Sequence, residues 1–203
     1  MRIGIIGPTG AGKSALAKKL AAHFHLTYVE EPVEKNEYLP FFYQDRDTFA
    51  LLSQNAFYGS LFLSLWKTRD NQNIVCDSTL YNNLVHTEIL RLEGILSAAE
   101  VAVTLSVAEQ HLKRIPGFDL EIVLVRTPEQ LRERIAKYGR PFEKKEAEYF
   151  DYQNQVFYDT VRRILQNYKV STKQIVWLPV NDLDDPKEFA SIVERVEAAY
   201  KAL

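Results

Sequence analysis

Cysteine is nearly missing from this sequence: Cys76 is the single one in 203 residues. A lone thiol excludes an internal disulfide framework and a cysteine-rich zinc site, and it suits a reducing compartment. Glycine and proline are scarce too, with eight of each, which excludes low-complexity and collagen-like architectures. No stretch approaches the ~20 apolar residues of a membrane helix. The apolar run from Ile3 to Ile6 is too short for a secretory leader. Excess charge of either sign is also absent: 25 Lys and Arg stand against 27 Asp and Glu, for a net charge of -2. That balance offers no electrostatic case for a nucleic-acid polymer as partner. The expectation is a cytoplasmic protein without membrane association, folded as one domain over 1–203.

What is present is enough apolar material for a core, 46% of the chain, and an alternation of short β-rich runs with longer helical patterns. Strands are expected at Arg2–Ile6, Thr27–Glu30, Asn73–Cys76, Leu120–Val125 and Gln174–Leu178. They are short and the central ones largely apolar, as strands buried on both faces are. Helices are expected at Ser14–His25, Asp47–Trp66, from near Tyr81, at Ser97–Ile115, from Thr127 to a stop at Gly139, at Lys144–Tyr168, and from Asp185 to the end. Ser97 with Glu100, and Thr127 with Pro128 and Gln130, carry the N-cap chemistry that starts a helix. The alternation predicts an α/β fold, a parallel sheet with helices on both faces.

The strongest chemical signal is Gly7-Pro8-Thr9-Gly10-Ala11-Gly12-Lys13-Ser14, which matches G-x-x-x-x-G-K-[ST] between a strand and a helix. Glycines let the backbone wrap so that its N–H groups face phosphate oxygens, and the first helical turn adds donors and a positive dipole end. Lys13 then serves the β and γ phosphates and the Ser14 hydroxyl serves Mg²⁺, so ATP is the expected ligand. Asp77 ends the third strand at the carboxyl edge, where ligands of open α/β sheets sit. It is a second magnesium candidate, or a cap for the helix that follows.

Glu30 and Glu31 follow the second strand at the same edge. Phosphoryl transfer to a hydroxyl needs a carboxylate to take its proton, and the residues alone do not choose between the two. Beyond them stand Tyr38, Phe41, Phe42, Tyr43, Phe49, Phe57 and Tyr58, with Gln54 among them. Aromatic faces around one amide describe a pocket for a flat heterocycle, against the alternative of ordinary helix core. The basic segment Arg126, Arg132, Arg134, Lys137, Arg140, Lys144 and Lys145 reads as a mobile lid over phosphate, or as a solvated helix end.

Together these residues resemble the deoxynucleoside kinases, above all the bacterial deoxyadenosine and deoxyguanosine kinase type. The likeness runs nearly end to end. It rests on the phosphate loop, on Glu31-Pro32-Val33-Glu34-Lys35-Asn36-Glu37-Tyr38-Leu39-Pro40-Phe41-Phe42-Tyr43, on Gln54, on Asp77-Ser78-Thr79-Leu80-Tyr81, and on Arg134-Ile135-Ala136-Lys137-Tyr138-Gly139-Arg140-Pro141-Phe142-Glu143. The resemblance implies a P-loop kinase fold with a five-stranded parallel sheet and an arginine-bearing lid at about 132–145. It implies transfer of the γ-phosphate of ATP to the 5′-hydroxyl of a deoxynucleoside, with Mg²⁺. Glu31 would be the general base, Gln54 would pair with the nucleobase, and Tyr43 with Glu143 would hold the sugar 3′-hydroxyl. Arg134 and Arg140 would be lid arginines. The implied assembly is a homodimer, or a hetero-oligomer with a related kinase. The family pattern has arginine where this chain has Ser78 and Tyr138, arginine where it has Leu61, and an acid where it has Asn83. The missing arginines imply a weak kinase, or a paralogue that binds nucleotide or nucleoside as a partner subunit or sensor. A P-loop kinase with another small acceptor is a further alternative.

Overall fold

The computed structural model describes residues 1–203, the side chains at 147 and 148 excepted. Five strands form one parallel sheet: β1 (Arg2–Ile6), β2 (Thr27–Val29), β3 (Ile74–Cys76), β4 (Leu120–Val125) and β5 (Ile175–Pro179), in the order β2-β3-β1-β4-β5. Pairing is in register from Arg2 opposite Ile74 and from Ile3 opposite Leu120. Eight helices complete the fold: α1 (Lys13–Phe24), α2 (Leu39–Phe42), α3 (Arg46–Lys67), α4 (Leu80–Leu92), α5 (Ala98–Leu112), α6 (Pro128–Tyr138), α7 (Ala147–Asn167) and α8 (Pro186–Lys201). The expected α/β sheet with helices on both faces is the observed one.

Strand alternation divides the core in two. Ile3, Ile5, Val75 and Ile122 pack with Leu16 and Leu20 of α1, Leu131 of α6 and Ile192 of α8. Ile6, Ile74, Cys76 and Val123 face the other way, onto α3, α4 and α7 through Leu61, Leu84 and Phe157. A smaller cluster around Leu39, Phe42, Ala50 and Leu90 closes the far end of α3 and α4. Leu61 is therefore core and does not line the cavity described below.

Element ends follow local chemistry. Ser97 and Thr127 form capping boxes with Glu100 and Gln130, as their spacing predicts. α5 stops at Leu112, short of the expected Ile115, because Pro116 biases the residue before it away from helix. β5 starts one residue later than expected, since Gln174 is drawn into a capping box with Ser171. α7 begins at Ala147, not Lys144, because Glu143 to Lys145 form a separate 3-10 turn.

The centre of the sheet holds one costly arrangement. Cys76, Gly4 and Glu121 lie side by side across β3, β1 and β4. A Cβ on Gly4 would stand 2.4 Å from Thr79 Cγ2 and 2.7 Å from Glu121 Oε2, so only glycine fits. Both Glu121 carboxyl oxygens are buried without a hydrogen-bond partner. Desolvation raises its pKa well above the usual carboxylate range, and it rests in the sheet as the neutral acid.

Candidate active site

The carboxyl edge of the sheet opens into a cavity of about 700 Å³, lined from the phosphate loop, the segment after β2, α3, α4, the end of α6 and α7. The order β2-β3-β1-β4-β5 reverses direction at β1, and the loop after β1 is the phosphate loop. A parallel sheet places ligands at that kind of crevice because the chain departs to opposite faces there.

Gly12 turns the loop into α1 with φ of 95°, a left-handed conformation that glycine adopts freely. Lys13 Nζ donates to the Gly7 carbonyl at 3.0 Å and stands over the loop. Thr9, Gly10, Gly12, Lys13 and Ser14 line the cavity, while Pro8 and Ala11 are buried behind the loop. The Gly7 N–H donates to Asn82 Oδ1 at 3.1 Å. That bond fastens the loop to α4.

Asp77 is 1% exposed yet lines the cavity. Its Oδ1 accepts the Glu31 N–H at 2.5 Å and its Oδ2 accepts the Tyr28 hydroxyl at 2.6 Å. The Ser14 hydroxyl is near enough to the same phenol to oppose the rise in its pKa. Burial and the Asp77 carboxylate raise the Tyr28 pKa, so the phenol keeps its proton and remains a donor. Tyr28, which sequence reading did not single out, thus holds Asp77 and stands near Ser14. A hydroxyl and a carboxylate are hard oxygen donors of the kind magnesium takes alongside phosphate oxygens and water. Among the described residues no group of three or more His, Cys, Asp and Glu could form a cage of its own. The donor set fits a magnesium ion delivered with a nucleotide.

The structure separates the two acids after β2. Glu30 is exposed, whereas the Glu31 carboxyl is desolvated, which raises its pKa; Asp77 adds to the rise, and Lys13, the Ser78 hydroxyl and Arg140 oppose it. Ser78 in turn accepts Asn82 Nδ2 at 3.2 Å. Hydrogen bonds therefore run from Gly7 through Asn82 to Ser78, whose hydroxyl is near enough to the Glu31 carboxyl to hold its pKa down.

At the deeper end, Phe42, Tyr43 and Phe57 line the cavity, joined by Tyr149 and Phe150 from α7. Four of the aromatics expected there are elsewhere: Tyr38 and Phe41 are 40% and 50% exposed, Phe49 stacks on Phe41, and Tyr58 stacks on His111. The short helix α2 turns Tyr38 and Phe41 outward while Phe42 is buried, and Phe49 and Tyr58 belong to α3. Tyr43 stacks on Phe142 at 4.9 Å, and its phenol is raised in pKa by burial and by the nearby Glu143 carboxylate. Gln54 and Asn83, 7% and 6% exposed, face the same space. So does His86, whose pKa burial and Lys13 push down to about 3, keeping it neutral.

The basic segment divides as well. Arg134 donates to the Gly10 carbonyl at 2.9 Å and so leans on the phosphate loop. Arg140 is paired with Glu143 at 2.9 Å, and its N–H donates to the other Glu143 oxygen at 2.7 Å. Both line the cavity. Arg126 does not: it is buried and bonded to the carbonyls of Ala11, Val180 and Asn181. Arg132 pairs outward with Asp151. The structure thus gathers Lys13, Ser14, Glu31, Tyr43, Gln54, Asp77, Arg134, Arg140 and Glu143 in one cavity. Tyr28, Asn82, Tyr149, Phe150 and Gln153 join them unforeseen. Tyr149, Phe150 and Gln153 fall on one helical face by their spacing, a signal present in the sequence.

A parallel sheet switching direction beside a glycine loop, with Lys13 and Ser14 opening the next helix, defines a P-loop kinase fold. The family model for deoxynucleoside kinases matches residues 3–201, and the chain belongs to that family. It is 29% identical to the deoxyguanosine kinase of Bacillus subtilis (strain 168), with 99% of this chain and 96% of that one covered. It is 28% identical to the deoxyadenosine kinase of Dictyostelium discoideum, over 99% of this chain and 80% of that one. Among solved structures, deoxyadenosine kinase from M. mycoides with bound dATP superposes with a TM-score of 0.80 at 22% identity, covering 97% of this chain and 100% of that one. The same enzyme with bound dCTP gives 0.79 at 21% identity, covering 98% and 100%. Membership makes the chain a phosphotransferase of the class that phosphorylates deoxynucleosides with a nucleotide donor. Among the described residues no helix is long and apolar enough to cross a membrane.

Proposed function

We propose that this chain transfers the γ-phosphate of ATP to the 5′-hydroxyl of a deoxynucleoside, with Glu31 as the general base. The carrying observation is the desolvated Glu31 carboxyl between Lys13, Ser78 and Asp77, at the junction of the phosphate loop and the aromatic end of the cavity. A carboxylate with a raised pKa is a stronger proton acceptor than one in water, and it is placed where an acceptor hydroxyl meets a phosphate. Glu30, exposed on the same turn, has no such surroundings.

The other roles follow from position. Gln54 pairs with the nucleobase while Phe57 and Tyr149 cover the ring. Tyr43 and Glu143 hold the sugar 3′-hydroxyl, and the Arg140 contact to Glu143 ties that hold to the segment 132–145, which acts as a lid. Gly7 to Ser14 bind the ATP phosphates, Lys13 supplies a point charge, and Arg134 and Arg140 supply guanidinium groups to the transferring phosphate. Ser14 and Asp77 hold Mg²⁺, which when bound neutralises charge on the phosphates. As the hydroxyl oxygen attacks the γ-phosphorus its proton passes to Glu31, the bond from that phosphorus to the β,γ-bridging oxygen breaks, and ADP leaves with its electron pair.

A thermal-shift screen of the four deoxynucleosides with and without Mg-ATP, followed by a coupled assay, tests this reading. A ligand that binds the native state raises its melting temperature by mass action. Phosphorylation of at least one deoxynucleoside is the expected result, and binding of none would overturn the reading. A second reading, binding with weak turnover, is favoured by Ser78 and Tyr138: the first is fully buried and bonded to its neighbours, the second 64% exposed, and neither brings a guanidinium to the transfer site. Under that reading the chain is a partner subunit or sensor. A homodimer is proposed from the apolar row Leu52, Leu63 and Trp66 on α3 beside Val103 and Val107 on α5, all left exposed. A cytoplasmic setting suits the buried free thiol of Cys76.

A further inference from the structure

Arg46 is the first residue of α3, at the helix end whose dipole disfavours a cation. A residue that breaks a local rule marks a place where tertiary contacts decide. Its ion-pair partner is Glu146, 100 residues further along the chain. Glu146 takes the N-cap position of α7 and turns its carboxylate to Arg46 instead of capping its own helix. Both side chains are partly buried, so salt screens the pair less than an exposed one. The starts of α3 and α7 are thereby clasped together.

The Arg46 guanidinium also lies over the Tyr149 ring, 4.3 Å from its centroid. Tyr149 lines the candidate active site and also a second cavity of about 550 Å³, which it shares with Arg46, Glu93 and Glu146. Arg46 lines the second cavity and not the first, so the ring is the partition and the guanidinium backs it from outside. Burial pushes the Glu93 pKa up to about 7 against the pull of Arg46, so below that value Glu93 is neutral and Glu146 supplies the counter-charge. On its other contacts Tyr149 meets Phe42 at 5.9 Å, Tyr43 at 6.2 Å and Phe150 at 5.2 Å, with Gln153 Nε2 on its hydroxyl at 2.5 Å. Gln54 and Phe57 stand roughly two and three turns along α3 from Arg46. The clasp therefore joins the two helices that wall the aromatic end of the active-site cavity.

We infer that Arg46 is a positioning residue for the acceptor: clasped by Glu146 outside the cavity, it holds the Tyr149 ring as a wall of the base end and so sets affinity for the nucleoside and not for the phosphate donor. The inference rests on the proposed function, in which Tyr149 covers the base. A cation on an aromatic face is most favourable where water is excluded, and the ion pair fixes where the cation stands. Without the guanidinium the ring has the second cavity to move into. A displaced wall weakens ground state and transition state alike, so the loss falls on KM and not on kcat. The phosphate loop is held by other bonds, from Gly7 to Asn82 and from Arg134 to Gly10, and the donor side stays in place.

Titration calorimetry on the whole chain with each of the four deoxynucleosides and with Mg-ATP tests this, with steady-state kinetics beside it. Arg46→Ala is expected to weaken the best-binding nucleoside at least about fivefold, and to leave Mg-ATP affinity and kcat within about twofold. Unchanged nucleoside affinity overturns the inference. So does an equal loss for nucleoside and Mg-ATP, which is the mark of a general structural role. In a Tyr149→Leu background the ring is already gone, so Arg46→Ala is expected to add less than about twofold, and full additivity overturns the inference. Should Arg46→Ala fail to fold, Arg46→Lys keeps a charge for Glu146 and loses the planar group on the ring. It is expected to weaken the nucleoside about threefold and Mg-ATP not at all, and wild-type nucleoside affinity overturns the inference. A wild type that binds a nucleoside without phosphorylating it removes the kinase reading, and the binding comparison still decides the role of Arg46. Binding of none of the four overturns both.

Discussion

The Tyr28 hydroxyl donates to Asp77 Oδ2 at 2.6 Å, so a phenol on the edge strand orients one of the two proposed magnesium ligands. With the Glu31 N–H on its other oxygen at 2.5 Å, Asp77 has no freedom to turn. Groups that orient a metal ligand are worth about 10–100-fold in metal affinity. Tyr28→Phe is expected to weaken Mg-ATP binding by about tenfold and to leave metal-free ATP binding unchanged. Titration calorimetry with and without Mg²⁺ checks this; equal affinity in wild type and variant removes Tyr28 from the site.

Glu31→Gln is expected to retain nucleoside binding and lose roughly 10²-fold or more in turnover, because an amide cannot accept the hydroxyl proton. The raised pKa of Glu31 sets the pH dependence. Turnover falls as pH drops through that value, since the protonated acid is no longer a base, and the acid limb disappears in the variant. Wild-type turnover in Glu31→Gln, or a larger loss in Glu30→Gln, shows that the base is misassigned.

Restoring family arginines probes why this site differs from its pattern. Tyr138 is 64% exposed, so an arginine there meets no steric barrier. Ser78 is fully buried and its hydroxyl accepts from Asn82, so an arginine there must displace that contact. Lys137 packs against Tyr138 at 4.9 Å and lacks the planar fork that grips two phosphate oxygens. Ser78→Arg with Tyr138→Arg is expected to raise turnover on the best deoxynucleoside at least about tenfold, or about 1.4 kcal/mol of transition-state stabilisation. A folded, binding-competent double variant with no gain overturns the weak-kinase reading.

Association is tested on the α3–α5 face. Val107, 43% exposed, stands beside Val103 in the apolar row. A glutamate at position 107 places a charge that cannot be buried without a partner. Sedimentation velocity is expected to show a dimer for wild type and a monomer for Val107→Glu. A monomeric wild type, or a variant that still dimerises, places any interface elsewhere.

Glu121 predicts how stability varies with pH. Its folded pKa lies well above the unfolded value of about 4.3. The folded state therefore holds a proton that the unfolded state releases, and stability is lost as pH rises from the unfolded value through the folded one. Glu121→Gln removes that slope, so its unfolding free energy relative to wild type rises between about pH 5 and about pH 8. Urea unfolding at the two pH values measures the difference, and parallel behaviour of both proteins contradicts the assignment.

The sequence by itself determined the frame and the phosphate loop. Apolar runs such as Ile74–Cys76, caps such as Thr127 with Gln130, and the glycines before Lys13 act through neighbours a few residues away, and such local chemistry is legible in one dimension. Tertiary structure alone decided which of two adjacent acids is desolvated. Glu30 and Glu31 are equivalent in sequence, and only the approach of Lys13, Asp77 and Ser78 tells them apart. The same holds for the aromatics, where α2 turns Phe41 outward and Phe42 inward, and for Arg126, buried on three carbonyls of distant loops. Gln54 was visible as an amide on an apolar helix. Its pairing with Asn83 and Thr87 was not, because that bond exists only once α3 and α4 are packed together. Hydrogen bonds across long sequence separations leave no periodic trace, and it is these bonds that set the chemistry of the site.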